Sequence, residues 1–441
     1  MVRSLLKRPI LCALLLATTS CMPPSQPTSA PTAPLAKPQP VVEQTLAPPP
    51  IGTIPMNVPP VKIALLLPLT GESMTVGKAM LDASTMALYD NYFSTPPEDI
   101  RSQVVLILKD TGNTAADSAR AAKQAIDQGA QFIIGPLFSQ SVTAITPLAR
   151  ENNLGMLTFS NNRQVAAPSI YTFGFLPEQQ VARMAEYTYL RNYTRVALLA
   201  PNDSYGTKIQ ESLVPAFAQK GGTVAPVELY APNPANIEAA VARLAAYNNS
   251  TQSTRFEAIF IADGGPQLKT IIAALKKTNI DLTKIKLFGT GLWDDPEIAK
   301  IPEMQGAWFS SSPSEAYRNF EKRFTTTFGY KPMRLAGLAY DAVTVAIRLT
   351  MSNPHGLSDT ALTRDDGFEG LANGLVRLRP SGISDRKLAI MEVTPGGFKV
   401  IDPAPRIYEK GQEPEMPSLE PKKATKEAQP SESSAPTDPK E

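Results

Sequence analysis

Apolar and polar positions alternate along the chain in blocks. Val61 to Leu67 is apolar throughout except for Lys62, the pattern of a strand buried on both faces. Val76, Ala79, Met80, Ala83, Ala87 and Leu88 then recur at helical spacing. A strand is predicted at Val104 to Leu108 and a small-residue helix over Ala115 to Gln128, closed by Gly129. A strand at Phe132 to Ile134, a helix near Val142 to Glu151 and a strand at Gly155 to Phe159 follow.

The pattern starts again after residue 178. Helices are predicted at Val181 to Leu190, around Ile209, Leu213 and Phe217 with Pro215 inside, around Ile237, Val241 and Leu244, and at Leu268, Ile271, Ile272 and Leu275. Strands at Val196 to Ala200, Val224 to Leu229, Ala258 to Ala262 and Ile285 to Phe288 separate them. Strands alternating with helices imply parallel sheets joined by right-handed crossovers. Two such runs in one chain imply two similar α/β lobes. The end differs: Tyr317, Phe320, Phe324 and Phe328 share a helical face, and Leu335 to Leu349 reads as a second helix. Strands are predicted at Leu375 to Leu378, Leu388 to Val393 and Phe398 to Ile401.

Both ends fall outside this pattern. Arg3, Lys7 and Arg8 precede a short apolar stretch, Ile10 to Ala17, and small residues lead to Cys21. The stretch is too short to span a bilayer. Residues 1–21 resemble a bacterial lipoprotein signal in which Cys21 becomes the first residue and carries lipid. Cys12 would leave with the leader. Residues 22–60 are rich in Pro, Ala, Thr, Ser and Gln, a composition that cannot bury enough apolar surface to fold. As an extended tether they would reach on the order of 100 Å. Residues 406–441 are expected to be a disordered tail.

Charge and composition narrow the function. The 43 Lys plus Arg against 41 Asp plus Glu leave a net charge of +2, with no electrostatic footprint for nucleic acid. One His and two Cys supply neither a structural zinc site nor a disulfide framework. No phosphate loop fits: five residues separate Gly71 from Gly77, and Ala79 follows Lys78. There is no nucleophile elbow, and Asp294 and Asp295 suit a helix cap ahead of Pro296 better than paired acid–base work. No enzyme, cofactor or metal is expected.

Several stretches, in order, carry a resemblance: "IALLLPLTG" at 63–71, "IIGPLFSQSV" at 133–142, "LTFSNN" at 157–162, "DSYG" at 203–206, "FGTGLWDD" at 288–295 and "AYDAV" at 339–343. The closing stretch "FEGLANGLVRLRPSGISDRKLAIMEV" belongs with them. Together they resemble type I periplasmic binding proteins of the branched-chain amino-acid receptor group. The triple leucine, leader and tether look closest to the penicillin-binding protein activator lipoproteins. Their best-known members carry an additional helical-repeat domain, for which residues 22–60 leave no counterpart. The resemblance implies an α/β fold of two similar lobes, each a parallel sheet flanked by helices, with three hinge crossovers near 175–178, 291–303 and 376–386. The expected division is 61–177 for the first part of lobe 1, 178–292 for the first part of lobe 2, 293–380 for the second part of lobe 1 and 381–405 for the final strands of lobe 2.

Ligands of open parallel sheets sit outside the carboxyl ends of the strands. In lobe 1 those ends carry Thr70, Phe138, Ser139, Ser160, Asn161 and Asn162; in lobe 2 they carry Tyr205, Asp263 and Trp293. Hydroxyls, amides and helix starts there favour a carboxylate. Asp263 is placed to meet an ammonium, and Tyr205 or Trp293 to form an apolar wall. The same residue types also make ordinary turns and helix caps. Trp308 reads as core. By resemblance, Ser139 and the 159–162 loop hold the ligand carboxylate and Tyr205 is an aromatic contact.

Two functions follow. The first is a non-enzymatic, lipid-anchored lipoprotein on the periplasmic face of the outer membrane, acting on a peptidoglycan synthase of the penicillin-binding protein class. The second is a solute receptor that delivers an amino acid or amide to the permease of an ABC importer.

Overall fold

The computed structural model describes residues 45–46, 59–96, 100, 102–249, 255–353 and 355–408. The leader, its Cys21 and nearly all of the expected tether and tail lie outside the described residues.

The first sheet collects β1 (Thr45–Leu46), β2 (Val61–Leu67), β3 (Val104–Asp110), β4 (Phe132–Ile134), β5 (Met156–Thr158) and β6 (Ile170–Thr172) in spatial order β1-β3-β2-β4-β5-β6. All neighbours are parallel except β1, which runs antiparallel along β3. The seven-residue apolar run of β2 is explained by its central place: Ile63, Leu65 and Leu67 face one helical layer, Ala64 and Leu66 the other. The second layer is α2 (Ala115–Asp127) and α3 (Ser139–Glu151), whose small residues Ala122, Ala125 and Ala149 allow close approach. The first layer starts with α1 (Met74–Ser94).

The second lobe follows the same logic. Its helices are α4 (Pro177–Tyr189), α5 (Ser204–Gln219), α6 (Pro234–Asn249), α7 (Gly265–Lys276) and the short α8 (Pro296–Ala299). Its parallel strands are β7 (Arg195–Pro201), β8 (Thr223–Tyr230), β9 (Ala258–Ile261), β10 (Lys286–Gly289) and β11 (Trp308–Ser311). Val196 and Leu198 turn to α4 and α5, while Ala197 and Leu199 turn to α6 and α7. Pro215 lies inside α5 without ending it.

The chain then returns to the first lobe. There α9 (Ser314–Phe328) and α10 (Ala336–Ser352) join α1 on one face of the first sheet, and Tyr317, Phe320 and Phe324 enter that core as the periodicity predicts. After α11 (Asp359–Leu362), a small antiparallel sheet forms from β12 (Phe368–Gly370), β13 (Gly374–Leu378) and β14 (Ser384–Arg386). Finally β15 (Ala389–Thr394) and β16 (Gly397–Asp402) complete the second sheet in the order β16-β15-β11-β10-β9-β7-β8. All these elements lie in one compact unit, Val42–Glu441.

Several boundaries depart from expectation. Residues 293–312 remain with the second lobe, because β11 pairs parallel with β10 and antiparallel with β15. The second crossover therefore falls at about residues 312–313 rather than 291–303. β14 belongs to the small sheet, so the second lobe resumes at Ala389 rather than at 381. Trp308 is only half-buried: its indole stacks on Phe288 and donates to Glu392 Oε2 at 3.0 Å. Within the expected tether, Thr45 and Leu46 form β1. Within the expected tail, Tyr408 is buried, with its hydroxyl on the Asp385 carbonyl and its ring 4.1 Å from the Arg377 guanidinium.

The first turn of α4 ties the crossovers together. Gln179 donates to the Ser384 carbonyl and accepts from Arg386 N at 3.2 Å. Gln180 Oε1 accepts from Gly291 N at 2.7 Å, and its carbonyl accepts from Ser310 Oγ at 2.9 Å. Arg386 reaches back to the Phe173 carbonyl at 3.0 Å.

Candidate functional site between the lobes

The carboxyl ends of both sheets face a cavity of about 470 Å³, within the usual range for small-molecule sites of about 300–1,000 Å³. Lobe 1 contributes Leu137, Phe138, Phe159 and Asn161. Lobe 2 contributes Gln180, Tyr205, Gly291 and Leu292. The crossovers supply the floor: Phe175 from the first, Ser311 and Ser312 from the second, Leu388 from the third. Arg334 and Leu335, just ahead of α10, close it. Most of this wall is aromatic or aliphatic.

Local sequence explains the lobe 1 wall. β4 ends at Gly135, whose φ is +95° and where a Cβ would stand 2.1 Å from the Leu66 carbonyl oxygen. Only glycine allows that turn, and it delivers Leu137 and Phe138 to the cavity at the start of α3. The next loop is fastened to it: Thr158 Oγ1 and Phe159 N both donate to the Pro136 carbonyl, at 2.8 and 3.0 Å.

Of the predicted contacts, Phe138, Asn161 and Tyr205 line the cavity together. The Tyr205 ring is held by its hydroxyl, 2.9 Å from Thr290 Oγ1, and burial pushes its pKa well up. The other predicted residues stand outside the wall. Thr70 donates to Asp110 Oδ2 at 2.6 Å. Ser139 opens α3, its carbonyl accepting from Thr143 Oγ1 at 3.1 Å. Ser160 Oγ accepts from Asn162 N at 3.1 Å and Asn162 Oδ1 from Gln164 N at 3.2 Å, so both side chains are engaged in shaping the turn.

Asp263 is not among the lining residues either. It accepts from the Tyr230 hydroxyl at 2.9 Å and from Gly264 N at 2.8 Å, and burial holds its carboxyl above the usual range. Trp293, expected as a wall, is fully buried in the second-lobe core; its Nε1 donates to the Asp263 carbonyl at 2.8 Å. A Cβ on Gly289 would stand 2.3 Å from this indole, so the glycine makes room for the ring rather than for a ligand. Asp295 caps α8 through Glu297 N, the role its place before Pro296 suggested.

The principal residue absent from the sequence-based set is Arg334. Its Nη2 lies 3.5 Å from Asp294 Oδ2 and 3.4 Å from the Ser312 carbonyl, and its guanidinium sits 3.9 Å from the centre of the Tyr317 ring. Its Nη1 is buried and has no hydrogen-bond partner among the described residues. One signal was available. A cation just ahead of an apolar helix opposes the helix dipole, and such a placement asks for a counter-charge.

Glu178, in the first turn of α4, is 2% exposed, and its Oε2 has no partner among the described residues. Burial raises its pKa, against the pull of Arg163 and Lys208. A raised native pKa means the folded state loses stability as the pH rises through it. Glu178→Gln is therefore expected to raise the melting temperature at neutral pH, with the gain shrinking on acidification. A gain independent of pH in a thermal melt series would exclude this origin.

Among the described residues no group of three or more His, Cys, Asp or Glu stands together to hold a metal, and no helix is long and apolar enough to cross a membrane. Known proteins agree with the geometry. An uncharacterized protein of Rickettsia prowazekii is 27% identical over 224 residues, 50% of this chain and 58% of the relative. A penicillin-binding protein activator of Photobacterium profundum is 25% identical over 190 residues, 43% of this chain and 29% of the relative. The chain thus spans little more than half, or less, of the curated relatives it matches. A leucine binding protein from Thermotoga maritima superposes with a TM-score of 0.57 at 22% identity, covering 77% of this chain and 97% of that one. The family model for periplasmic binding proteins matches residues 60–397, and with two parallel-sheet lobes around a cavity the chain belongs to that family.

Proposed function

We propose that the chain is a non-catalytic regulator in the cell envelope, acting on peptidoglycan synthesis through a partner of the penicillin-binding protein class. The observation that carries this reading is the alignment of 190 residues of the chain with a relative named as a penicillin-binding protein activator. In this reading Cys21 anchors the protein by lipid to the outer membrane and residues 22–60 let the head reach the wall. The expected result is a faster rate of glycan-chain or cross-link formation when the full chain is added to a purified bifunctional peptidoglycan synthase. An unchanged rate over a wide concentration range would overturn it.

The cavity favours a second reading, a receptor whose lobes close on a small solute, with Phe138, Asn161 and Tyr205 among the contacts. Closure would turn about the crossovers held by Gln179 and Gln180. A ligand at 100 times its dissociation constant adds about 2.7 kcal/mol. A thermal shift with a solute, lost on Phe138→Ala or Tyr205→Ala, would support this reading; no shift across acids, amides and amino acids would remove it.

A further inference from the structure

We infer that the cavity selects an apolar monocarboxylate, an aryl or branched-alkyl acid without an ammonium group, and that Arg334 and Ser312 hold its carboxylate. The inference rests on reading the cavity as a ligand site and names the chemistry of that ligand. Three observations carry it. First, Arg334 and Ser312 both line the cavity and are adjacent, the Arg334 Nη2 lying 3.4 Å from the Ser312 carbonyl. Each also has a buried polar atom, Arg334 Nη1 and Ser312 Oγ, with no partner among the described residues. Ser312 is only 1% exposed, so its hydroxyl has no ready substitute in bulk water. Guanidinium and hydroxyl together match the two oxygens of a carboxylate.

Second, Arg334 is not saturated by its protein neighbour. Asp294 stands 3.5 Å away, longer than a charge-assisted hydrogen bond of about 2.7–2.9 Å, and also accepts from Ser311 Oγ at 2.9 Å. Asp294 lies outside the cavity wall. The positive end of α10 adds to the potential at Arg334.

Third, the rest of the wall decides what the carboxylate is attached to. Phe138, Phe159, Phe175, Leu292 and Leu388 give it an apolar surface. No Asp or Glu lines the cavity among the described residues. An amino acid would bring its ammonium into this space without a counter-charge, which is costly. Asp263, the acid expected to meet it, is occupied by Tyr230 and Gly264. A neutral amide would leave the guanidinium with only the Asp294 carboxylate, 3.5 Å away, as its anion.

The test is isothermal titration of the full chain with matched compounds: phenylacetate, phenylacetamide and L-phenylalanine, then isovalerate, isovaleramide and L-leucine. The expected result is that the acids bind at least about tenfold more tightly than their amides or the amino acids, the worth of a charge-assisted bond. Arg334→Met should close the gap between the acids and their amides; Ser312→Ala should weaken the acids by a smaller factor. If Arg334→Met does not fold, the acid–amide comparison in the unaltered chain decides. Amides or amino acids binding as tightly as the acids would overturn the acid selectivity while leaving the cavity a ligand site. Failure of every compound to bind would overturn the ligand-site reading itself, and the selectivity with it.

Discussion

Trp293→Ala is expected to destabilise the head by about 3–5 kcal/mol, the usual cost of emptying a large aromatic site in a core. The indole is fully buried and packs 6.3 Å from Phe309, centre to centre. Gly289 lies under its face with no Cβ to fill the space that removal would leave. The loss also frees the Asp263 carbonyl, which accepts from the indole nitrogen. Urea unfolding monitored by circular dichroism would measure it. A loss below about 1 kcal/mol would mean that the ring faces the cavity, and Trp293 would return to the list of ligand contacts. Trp293→Phe should recover much of the volume but not the hydrogen bond, and fall between.

Asp341→Ala is expected to cost a similar amount, about 3–5 kcal/mol, for an electrostatic reason. Asp341 lies on α10 at 0% exposure. Its Oδ1 accepts from Ala372 N at 2.9 Å; its Oδ2 accepts from Asn373 N at 2.9 Å and Asn373 Nδ2 at 3.0 Å. These bonds fasten the turn between β12 and β13 of the small sheet to the helical layer of the first lobe. The carboxylate is also the principal partner in charge for the buried Arg386, whose pKa burial lowers to about 10 while Asp341 pulls it up. Alanine would leave buried donors unsatisfied and a buried cation uncompensated. Asp341→Asn keeps the shape and one acceptor, and should cost less. Equal and small losses in both variants would show that the contact is not needed for stability.

The sequence made the sandwiches legible because each central strand has its own solvent-free pattern. β2, β3, β7 and β9 are apolar on both faces, which only a covered parallel strand requires. The long helices were found by their stripes, and α9 by its ladder of aromatic rings. Two strands carried no such signal. β6 reads Ile-Tyr-Thr and β11 Trp-Phe-Ser-Ser, with no continuous aliphatic run, and β11 is specified by what it pairs with: β10 on one side and β15 on the other. That pairing places the second crossover at the end of β11 rather than in the loop after β10.

The candidate site was legible only in part. The strand-end rule finds Phe138, Asn161 and Tyr205, because a sheet dictates where its loops emerge. It overcounts Ser160, Asn162 and Thr70, since hydroxyls and amides at strand ends satisfy nearby backbone or side-chain groups first. It misses Phe175, Ser312, Arg334 and Leu388, which belong to crossovers or to the approach to α10. These residues meet only after the chain has passed between the lobes more than once, and no local spacing encodes that meeting.

The two-residue strand β1 has a consequence for how the head behaves on its own. Thr45 and Leu46 pair with Ile107 and Leu106 along the outer side of β3. They form the border of the first sheet, whose next strand is hydrophobic and almost wholly buried. A head trimmed to begin at residue 59 would leave the outer main-chain groups of β3 at Leu106 and Ile107 without their β1 partners, extending a template on which another molecule's strand can add. Keeping residues 45 and 46 should hold such a protein monomeric at concentrations where the trimmed one self-associates, a difference that light scattering reads directly. The segment expected to be only a tether would then also serve as a selvage, the finished border that keeps a woven edge from joining its neighbour.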